Sequence, residues 1–564
     1  MRTCRGRGSR VVLDLAAPIG LLAVDAGSNA IRAVVARASS ATEIREISAQ
    51  RCPVRLGHYV FTQRRFDRLT LARTVQAFRH FRLLLDRYDV REYRAVATSA
   101  VREAVNRDTL IRRIYRQTGI RLEVISAAEE ARLVRSAVLG SLPEGVSPEL
   151  ILDLGGGSLE ISLMRGHDVE RSLALPVGTV RLMETFGISG PITEDRMEVL
   201  QHHVLSMLRT IWPNPPHLSS ALAVACGGNA EALARLAPAP PVCGKDALNL
   251  ELLRERLWAI LRLDVSGRMK AFGVRRDRAE VMGIAAIVFT TLGDWFKLPT
   301  LVVPGVGVRE GILRDLALEH FGTAELRAHQ AKAVLEQARR LTERLHCEQR
   351  HAEHVRYLAA SLFDQLAPVH GLPAELRLLL ELAALLHDVG LVISTKSHHK
   401  HGEYLIRHAQ IPGLSGAQQT LVACLVRYHS KSGPEPHHKL YASLGPRDRR
   451  IVRVLSSLLR IAVGLDAEGT RVVQQVEVRI SRKTVRLRVH ADPTAEVNLW
   501  EARRKAKWFE KEFSYRIHFS RVRSAAEPPS TNQRTPYSQA IFGREEEPAG
   551  VLTTPGVDWS QAGP

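Results

Sequence analysis

The chain has two textures. Up to about residue 322, short apolar runs of strand length alternate with glycine turns and with segments of 3.6-residue spacing; beyond it the helical spacing is almost continuous. Residues 21–37 read as strand, tight turn, strand, with Asp25-Ala-Gly27-Ser28-Asn29 in the turn. Residues 148–154 and 159–164 repeat that pattern around Asp153-Leu-Gly155-Gly156-Gly157-Ser158-Leu-Glu160. Leu71, Val75, Phe78, Phe81 and Leu85 predict an amphipathic helix over 69–90. A strand at 94–97 leads into a helix that Thr98 or Ser99 would cap, and one at 121–126 into a helix opening with Glu129-Glu130. Strands at 219–225 and 300–303 each run through glycines into a helix, the second over 312–320. Late in the chain, 472–489 alternates like a hairpin, and 498–512 predicts a basic helix whose Trp500, Arg503, Arg504, Lys505, Lys507 and Trp508 form a cationic face. From residue 525 the composition predicts disorder, and the Arg-rich first dozen residues lack a signal-peptide apolar region.

Two acid–glycine–serine hairpins about 130 residues apart suggest a duplicated pair of domains whose turns face one phosphate chain across a cleft. Gly155, Gly156 and Gly157 are expected to use positive φ, so that backbone N–H groups approach an anion. Asp153 and Glu160 flank them where a hard cation needs carboxylates. Arg102 lies one turn into its helix, near the same strand end, as a candidate phosphate ligand. The acids at 129 and 130 complement a helix dipole, or else one of them orients and deprotonates water. Gly227 and Gly228 would let a phosphate meet a helix N-terminus.

At 564 residues the chain is long enough for three or four domains. Its net charge of +20 favours polyanions without choosing among nucleic acid, nucleotide and polyphosphate. Six cysteines without CxxC spacing argue for reduced thiols in a cytoplasm. The most apolar stretch, 283–296, is interrupted by Thr290, Thr291 and Asp294, which argues against a membrane span. In the helical part, His351, His387-Asp388, His398-His399-Lys-His401, Tyr428-His429 and a final 461–466 segment follow the order of a helical metallophosphohydrolase site.

Taken in order, Asp25 to Asn29, Ala97 to Arg102, Glu129 to Leu133, Ile151 to Glu160, Gly227-Gly228, Val308 to Gly311 and His387-Asp388 resemble the exopolyphosphatase and guanosine pentaphosphate phosphohydrolase (Ppx/GppA) family over roughly residues 20–515. The resemblance implies an α/β fold: two ribonuclease H-like domains of the actin, sugar kinase and Hsp70 type, then an all-α HD-type domain and a small α+β domain. The expected divisions are an extension at 1–18, domains at 19–136, 137–322, 323–468 and 469–522, and a tail at 523–564. It implies hydrolysis of a terminal phosphoanhydride, with Glu130 as the base and Asp153 and Glu160 holding Mg²⁺ or placing the water; K⁺ is a candidate activator. Asp25, Gly27, Ser28, Asn29, Arg102, Gly155, Gly156, Gly157, Ser158, Gly227 and Gly228 would bind phosphate. The expected substrate is inorganic polyphosphate or guanosine pentaphosphate, acted on by a cytoplasmic homodimer with no membrane or specific nucleic-acid partner. A non-catalytic polyphosphate or alarmone regulator is the alternative of another class.

Two departures stand out. Ala30 replaces a hydroxyl residue, and Ala462-Val463 stands where the HD pattern ends in Ala-Asp. The set His351, His387, Asp388, His401 and His429 is therefore expected to be degenerate, and the helical domain to bind, dimerise or regulate rather than catalyse.

Overall fold

The computed structural model describes residues 18–522 apart from 167, 219–221, 410 and 412. Three sheets organise the described residues. The first runs β3-β2-β1-β4-β5, from β1 (Ile19–Ala26), β2 (Ile31–Ala38), β3 (Ile44–Cys52), β4 (Val90–Ala97) and β5 (Leu122–Val124). The first three strands are antiparallel neighbours, whereas β4 and β5 continue parallel to β1.

The second sheet repeats this order. Its strands are β6 (Leu150–Leu154), β7 (Leu159–Arg165), β8 (Asp168–Leu175), β9 (Ala223–Cys226), β10 (Pro238–Val242), β11 (Lys245–Asn249) and β12 (Thr300–Val303). The path β8-β7-β6-β9-β12 matches β3-β2-β1-β4-β5, and β11 and β10 extend the far edge. The duplication inferred from two hairpins thus extends to whole ribonuclease H-like sheets.

Alternation along the strands gives each sheet two apolar faces. Leu22, Val24, Ala33 and Val35 pack under the Arg68–Arg87 helix in one core, and Leu150, Leu152 and Ile161 pack on the buried Arg276–Phe296 helix in another. The opposite faces, Leu21, Ala23 and Val34 of one sheet and Ile151, Val224 and Val302 of the other, share a core with the Ala127–Ser141 and Val308–Phe321 helices. These two helices are the mortar between the lobes. An ion-pair network of Glu129 with Arg94 (2.9 Å) and Arg132 (2.8 Å), and of Arg132 with Asp315, ties them further. Arg276–Phe296 is the described helix long and apolar enough to cross a membrane, but 83% of its most apolar window is buried inside this lobe.

Beyond residue 322 the chain is helical through Pro446–Leu465, then forms β13 (Val473–Ser481), β14 (Thr484–Ala491), the Glu496–Phe513 helix and β15 (Arg516–Val522). β15, absent from the sequence reading, pairs parallel to β14. The helices and this small sheet share one continuous core, in which Val476, Leu487, Val489 and Phe509 meet Leu358, Leu458 and Leu382. The cationic face expected of the last helix is only partly present. Lys505 turns inward with its side chain 10% exposed, while Arg504 is paired with Glu501.

Other expectations fall differently. Neither Thr98 nor Ser99 caps the Ser99–Glu103 helix, because the Ser99 hydroxyl bonds Ser28 of the first turn instead (3.0 Å). Residues 219–221 of the expected strand, the N-terminal extension and the tail from 525 lie outside the described residues. The five described cysteines are free thiols.

The inter-lobe core contains one place where only glycine fits. A Cβ on Gly311 would be driven into the Leu133 backbone of the facing helix. Gly311→Ala is expected to lower stability by roughly 1–3 kcal/mol through overpacking; urea unfolding with an unchanged midpoint would disprove this contact.

Candidate active site

Two turns close on one gap. β1 ends at Ala26 and β2 begins at Ile31, so the first turn carries Gly27, Ser28 and Asn29; β6 and β7 leave Gly155 to Ser158 in the second. The second turn is pinched by Gly155 N–H donating to the Ser158 carbonyl at 3.0 Å. None of Gly155, Gly156 and Gly157 has positive φ, contrary to expectation. Gly156 and Gly157 are needed because the opposite lobe comes so close. A Cβ on Gly156 would sit 3.0 Å from Ser28 Cβ and 3.2 Å from Asn29 N, and one on Gly157 would strike the Ser99 hydroxyl and the Phe61 ring. Positive φ occurs instead at Gly227 (86°), which opens the Gly227–Leu236 helix beside Asp153.

The resulting cavity, about 110 Å³, is lined by Asp25, Gly27, Ser28, Asn29, Glu130, Asp153, Gly155, Gly156, Gly157, Ser158, Gly227 and Gly228. Most of the sequence-predicted residues therefore meet in one place. Glu160 lies behind it, 3% exposed, opposite Asp153 in the β6–β7 register, and accepts a hydrogen bond from the Ser158 hydroxyl at 2.5 Å. Arg102 is also set back. It donates to the Ile125 carbonyl at 2.6 Å and stands 3.5 Å from Glu130 Oε2, so it steadies the acid. The Asn29 side chain is tied to the Asp277 carbonyl (3.4 Å) and to Arg55 (3.3 Å).

The neighbouring acids separate cleanly. Glu129 is consumed by Arg94 and Arg132, whereas Glu130 faces the gap. Both are placed by Ser126, which caps their helix by accepting from Glu129 N–H at 3.1 Å.

Burial and mutual repulsion dominate the electrostatics. Burial and then Glu160 hold the Glu130 carboxyl well above the usual range, although Arg102 opposes the shift. Burial, with Asp25 adding to it, pushes Asp153 up to about 6; burial, with Asp153 adding to it, pushes Glu160 up to about 8. Burial likewise raises Asp25, against the pull of Arg32 and Arg309. Asp25 Oδ1 and Glu160 Oε2 are buried without a hydrogen-bond partner. Such a set would be relieved by a cation.

Sequence reasoning missed Arg32, Arg278 and Arg309, which also line the cavity. Arg32 had a readable signal. It follows Asp25 by seven positions, as Glu160 follows Asp153, and the register pairs Asp25 with Arg32 as it pairs Asp153 with Glu160.

The helical part holds a second cluster. His351, His387, Asp388 and His429 converge, but His401 does not, and His398 takes its place. Positive φ at Ser397 (62°) starts that helix in the phase that selects His398. The acid thought missing is Asp466, three residues after Val463; it accepts from His351 Nδ1 at 2.8 Å.

Residues 34–320 match the family model described as Ppx/GppA phosphatase family, and residues 335–505 match Ppx/GppA phosphatase, domain III. A guanosine-5'-triphosphate,3'-diphosphate pyrophosphatase of Aeromonas hydrophila is 26% identical over 440 residues, covering 77% of this chain and 85% of that protein. A Ppx/GppA family member of Aquifex aeolicus is similar over 54% of this chain and all of its own (27% identity, TM-score 0.47). An exopolyphosphatase of Cytophaga hutchinsonii is similar over 53% of this chain and 97% of its own (20% identity, TM-score 0.47). With both of its parts matched in order, the chain belongs to the Ppx/GppA phosphatase family and is a phosphoanhydride hydrolase.

Proposed function

We propose that this protein is an exopolyphosphatase, releasing orthophosphate from the end of an inorganic polyphosphate chain. The observation that carries this reading is the continuity of two cavities. The carboxylate-lined gap shares Arg32, Gly228, Glu231, Arg278 and Arg309 with a neighbouring cavity of about 440 Å³, to which Arg51, Arg235 and Arg275 also contribute. A corridor of guanidinium groups beyond the reacting end suits a substrate that repeats its negative charge along its length.

In this reading the two turns grip the terminal phosphate through Ser28 and the backbone N–H groups of 156–158, and Arg32 and Arg309 offset its charge. Glu130 takes a proton from a water aligned with the terminal phosphorus. As the water oxygen bonds to phosphorus, the bridging P–O bond breaks and its electron pair leaves on the shortened chain. Burial, which raises the proton affinity of Glu130, makes it a stronger base for this step. Phosphoryl transfer asks for little beyond charge neutralisation and in-line placement.

Mg²⁺ fits the site. Asp25 Oδ1 and Glu160 Oε2 are unpartnered buried oxygens, and Asp153 lies between them in the charge network. Asp153 and Glu160 would hold the ion, with Asp25 close by; bound there, it would neutralise charge on the phosphate oxygens.

A second reading is guanosine pentaphosphate hydrolysis by the same residues. The Aeromonas relative's name favours it, as does Phe272 with Gly273 and Val274 in the wall of the arginine cavity, where a base could rest. Turnover of long-chain polyphosphate and guanosine pentaphosphate side by side separates them, and negligible polyphosphate cleavage removes the first. Glu130→Gln is expected to cut phosphate release at least about a hundredfold. Near wild-type turnover would instead mean that another group is the base.

The shifted carboxyls also make a stability prediction. Asp153 and Glu160 ordinarily titrate at 3.8 and 4.5 but reach about 6 and about 8 when folded. Between those limits the unfolded chain has released protons that the folded chain keeps, so stability falls as pH rises from about 4 to about 8. In EDTA the thermal midpoint should decline across this window, and Mg²⁺ should restore most of the loss by stabilising the ionised carboxylates. Asp153→Asn should flatten both effects; a variant with the wild-type pH slope and Mg²⁺ response would contradict the assignment.

A further inference from the structure

The histidine cluster of the helical part is far from degenerate in geometry. His351 Nε2 faces His387 Nε2 at 3.2 Å, and His398 Nε2 faces His429 Nε2 at 3.1 Å. Asp388 stands between the two pairs. Its Oδ2 is 3.3 Å from His387 and 3.8 Å from His351, while its Oδ1 is 3.8 Å from His398 and 4.0 Å from His429.

The other nitrogen of every ring is already committed. His387 Nδ1 lies 2.7 Å from the Ala384 carbonyl, His429 Nδ1 2.6 Å from the Val426 carbonyl and His398 Nδ1 3.2 Å from the Thr395 carbonyl. A carbonyl can only accept, so these three rings carry their proton on Nδ1. His351 Nδ1 donates to Asp466, whose other oxygen accepts from Arg471 N–H at 2.8 Å. In their neutral forms all four imidazoles therefore aim lone pairs at one another. Two lone pairs 3.1–3.2 Å apart repel unless something positive sits against both, and this outer shell of carbonyls and one carboxylate is the arrangement that orients metal-ligating histidines.

We propose that the helical part holds a pair of divalent transition-metal ions, one on His351, His387 and Asp388, the other on Asp388, His398 and His429, with Asp388 bridging them. Imidazole nitrogen with a single shared carboxylate suits Mn²⁺, Fe²⁺ or Zn²⁺ better than Mg²⁺. Three protein ligands per ion leave coordination positions for an outside ligand. Asp388 and His398 keep 28% and 21% of their side chains exposed, so the centre opens to solvent. Lys505 approaches from the C-terminal helix, paired with Glu501 at 3.9 Å and acting on His387, His429 and Asp388. Open positions on two dications favour an anionic oxygen ligand, and phosphate, free or esterified, is the ligand class assigned to them.

The test uses the full chain stripped with chelator, reloaded with Mn²⁺ or Zn²⁺ and dialysed, with metal counted by mass spectrometry. The Asp153→Asn background removes the contribution of the phosphoanhydride site. About two ions per chain are expected, with Mn²⁺ giving an exchange-coupled electron paramagnetic resonance spectrum that inorganic phosphate alters. His398→Ala, a partly exposed position whose loss the fold should tolerate, is expected to keep about one ion and show an uncoupled spectrum; Asp388→Asn should keep none. If wild type retains no ions, or both variants retain as many as wild type, the pairs share protons rather than metals and the proposal fails. If the coupled spectrum ignores phosphate, the ligand assignment fails. Phosphate release by otherwise wild-type enzyme carrying His398→Ala stays unchanged, which keeps this test independent of the active-site reading.

Discussion

Four carboxyl groups clustered at one gap, three lining it and Glu160 buried behind, are the constraint to which the rest of the molecule answers. One pair of like charges about 4 Å apart at an effective dielectric of 20 costs about 4 kcal/mol, a large share of the 5–15 kcal/mol that holds a domain together. Asp25, Glu130, Asp153 and Glu160 cannot all ionise there unaided. Protons held to higher pH, arginines brought in from both lobes and a bound cation are the available answers. In the proposed mechanism the first would cost catalysis its base, which leaves the other two.

The duplicated sheets explain how one gap can hold opposite duties. Each lobe presents an acid at the end of its central strand and a second residue seven positions later, directly across the hairpin. In the first lobe the partner is Arg32; in the second it is Glu160. The same backbone thus offers a cationic wall on one side and an anionic one on the other. In the proposed reading a phosphate with a cation on one flank would fit between them, whereas two identical walls would repel either the phosphate or the metal.

Much of this was legible in the sequence. The hairpins and the strand-to-helix turns follow from alternation and glycine placement, whereas the choice of Glu130 over Glu129 as a candidate base comes only from the family resemblance. What escaped was whatever depends on the lobes meeting. Gly156 and Gly157 are conformationally ordinary, and only the presence of Ser28 and Ser99 opposite makes a side chain impossible. Arg102 and Glu160 are set back behind the residues that line the gap, because neither helix phase nor strand register carries information about depth. In the helical part, three histidines within 398–401 could not be ranked until the left-handed Ser397 fixed the phase, and Asp466 was passed over because an acid was sought at one spacing.

The distribution of positive charge also needed the structure. A net charge of +20 and a basic terminal helix suggested a polyanion tracking over an outer cationic face. That helix instead turns Lys505 into the core and neutralises Arg504 against Glu501. The guanidinium groups that can meet a chain of phosphates line the cavity adjoining the carboxylates. This placement is the more effective one, since a charge in a recessed, low-dielectric wall is screened far less than one on an exposed helix. On the proposed polyphosphate reading, a substrate drawn there would arrive with its end already at the gap, and binding energy gathered along the arginines would go into aligning the terminal phosphorus with the water.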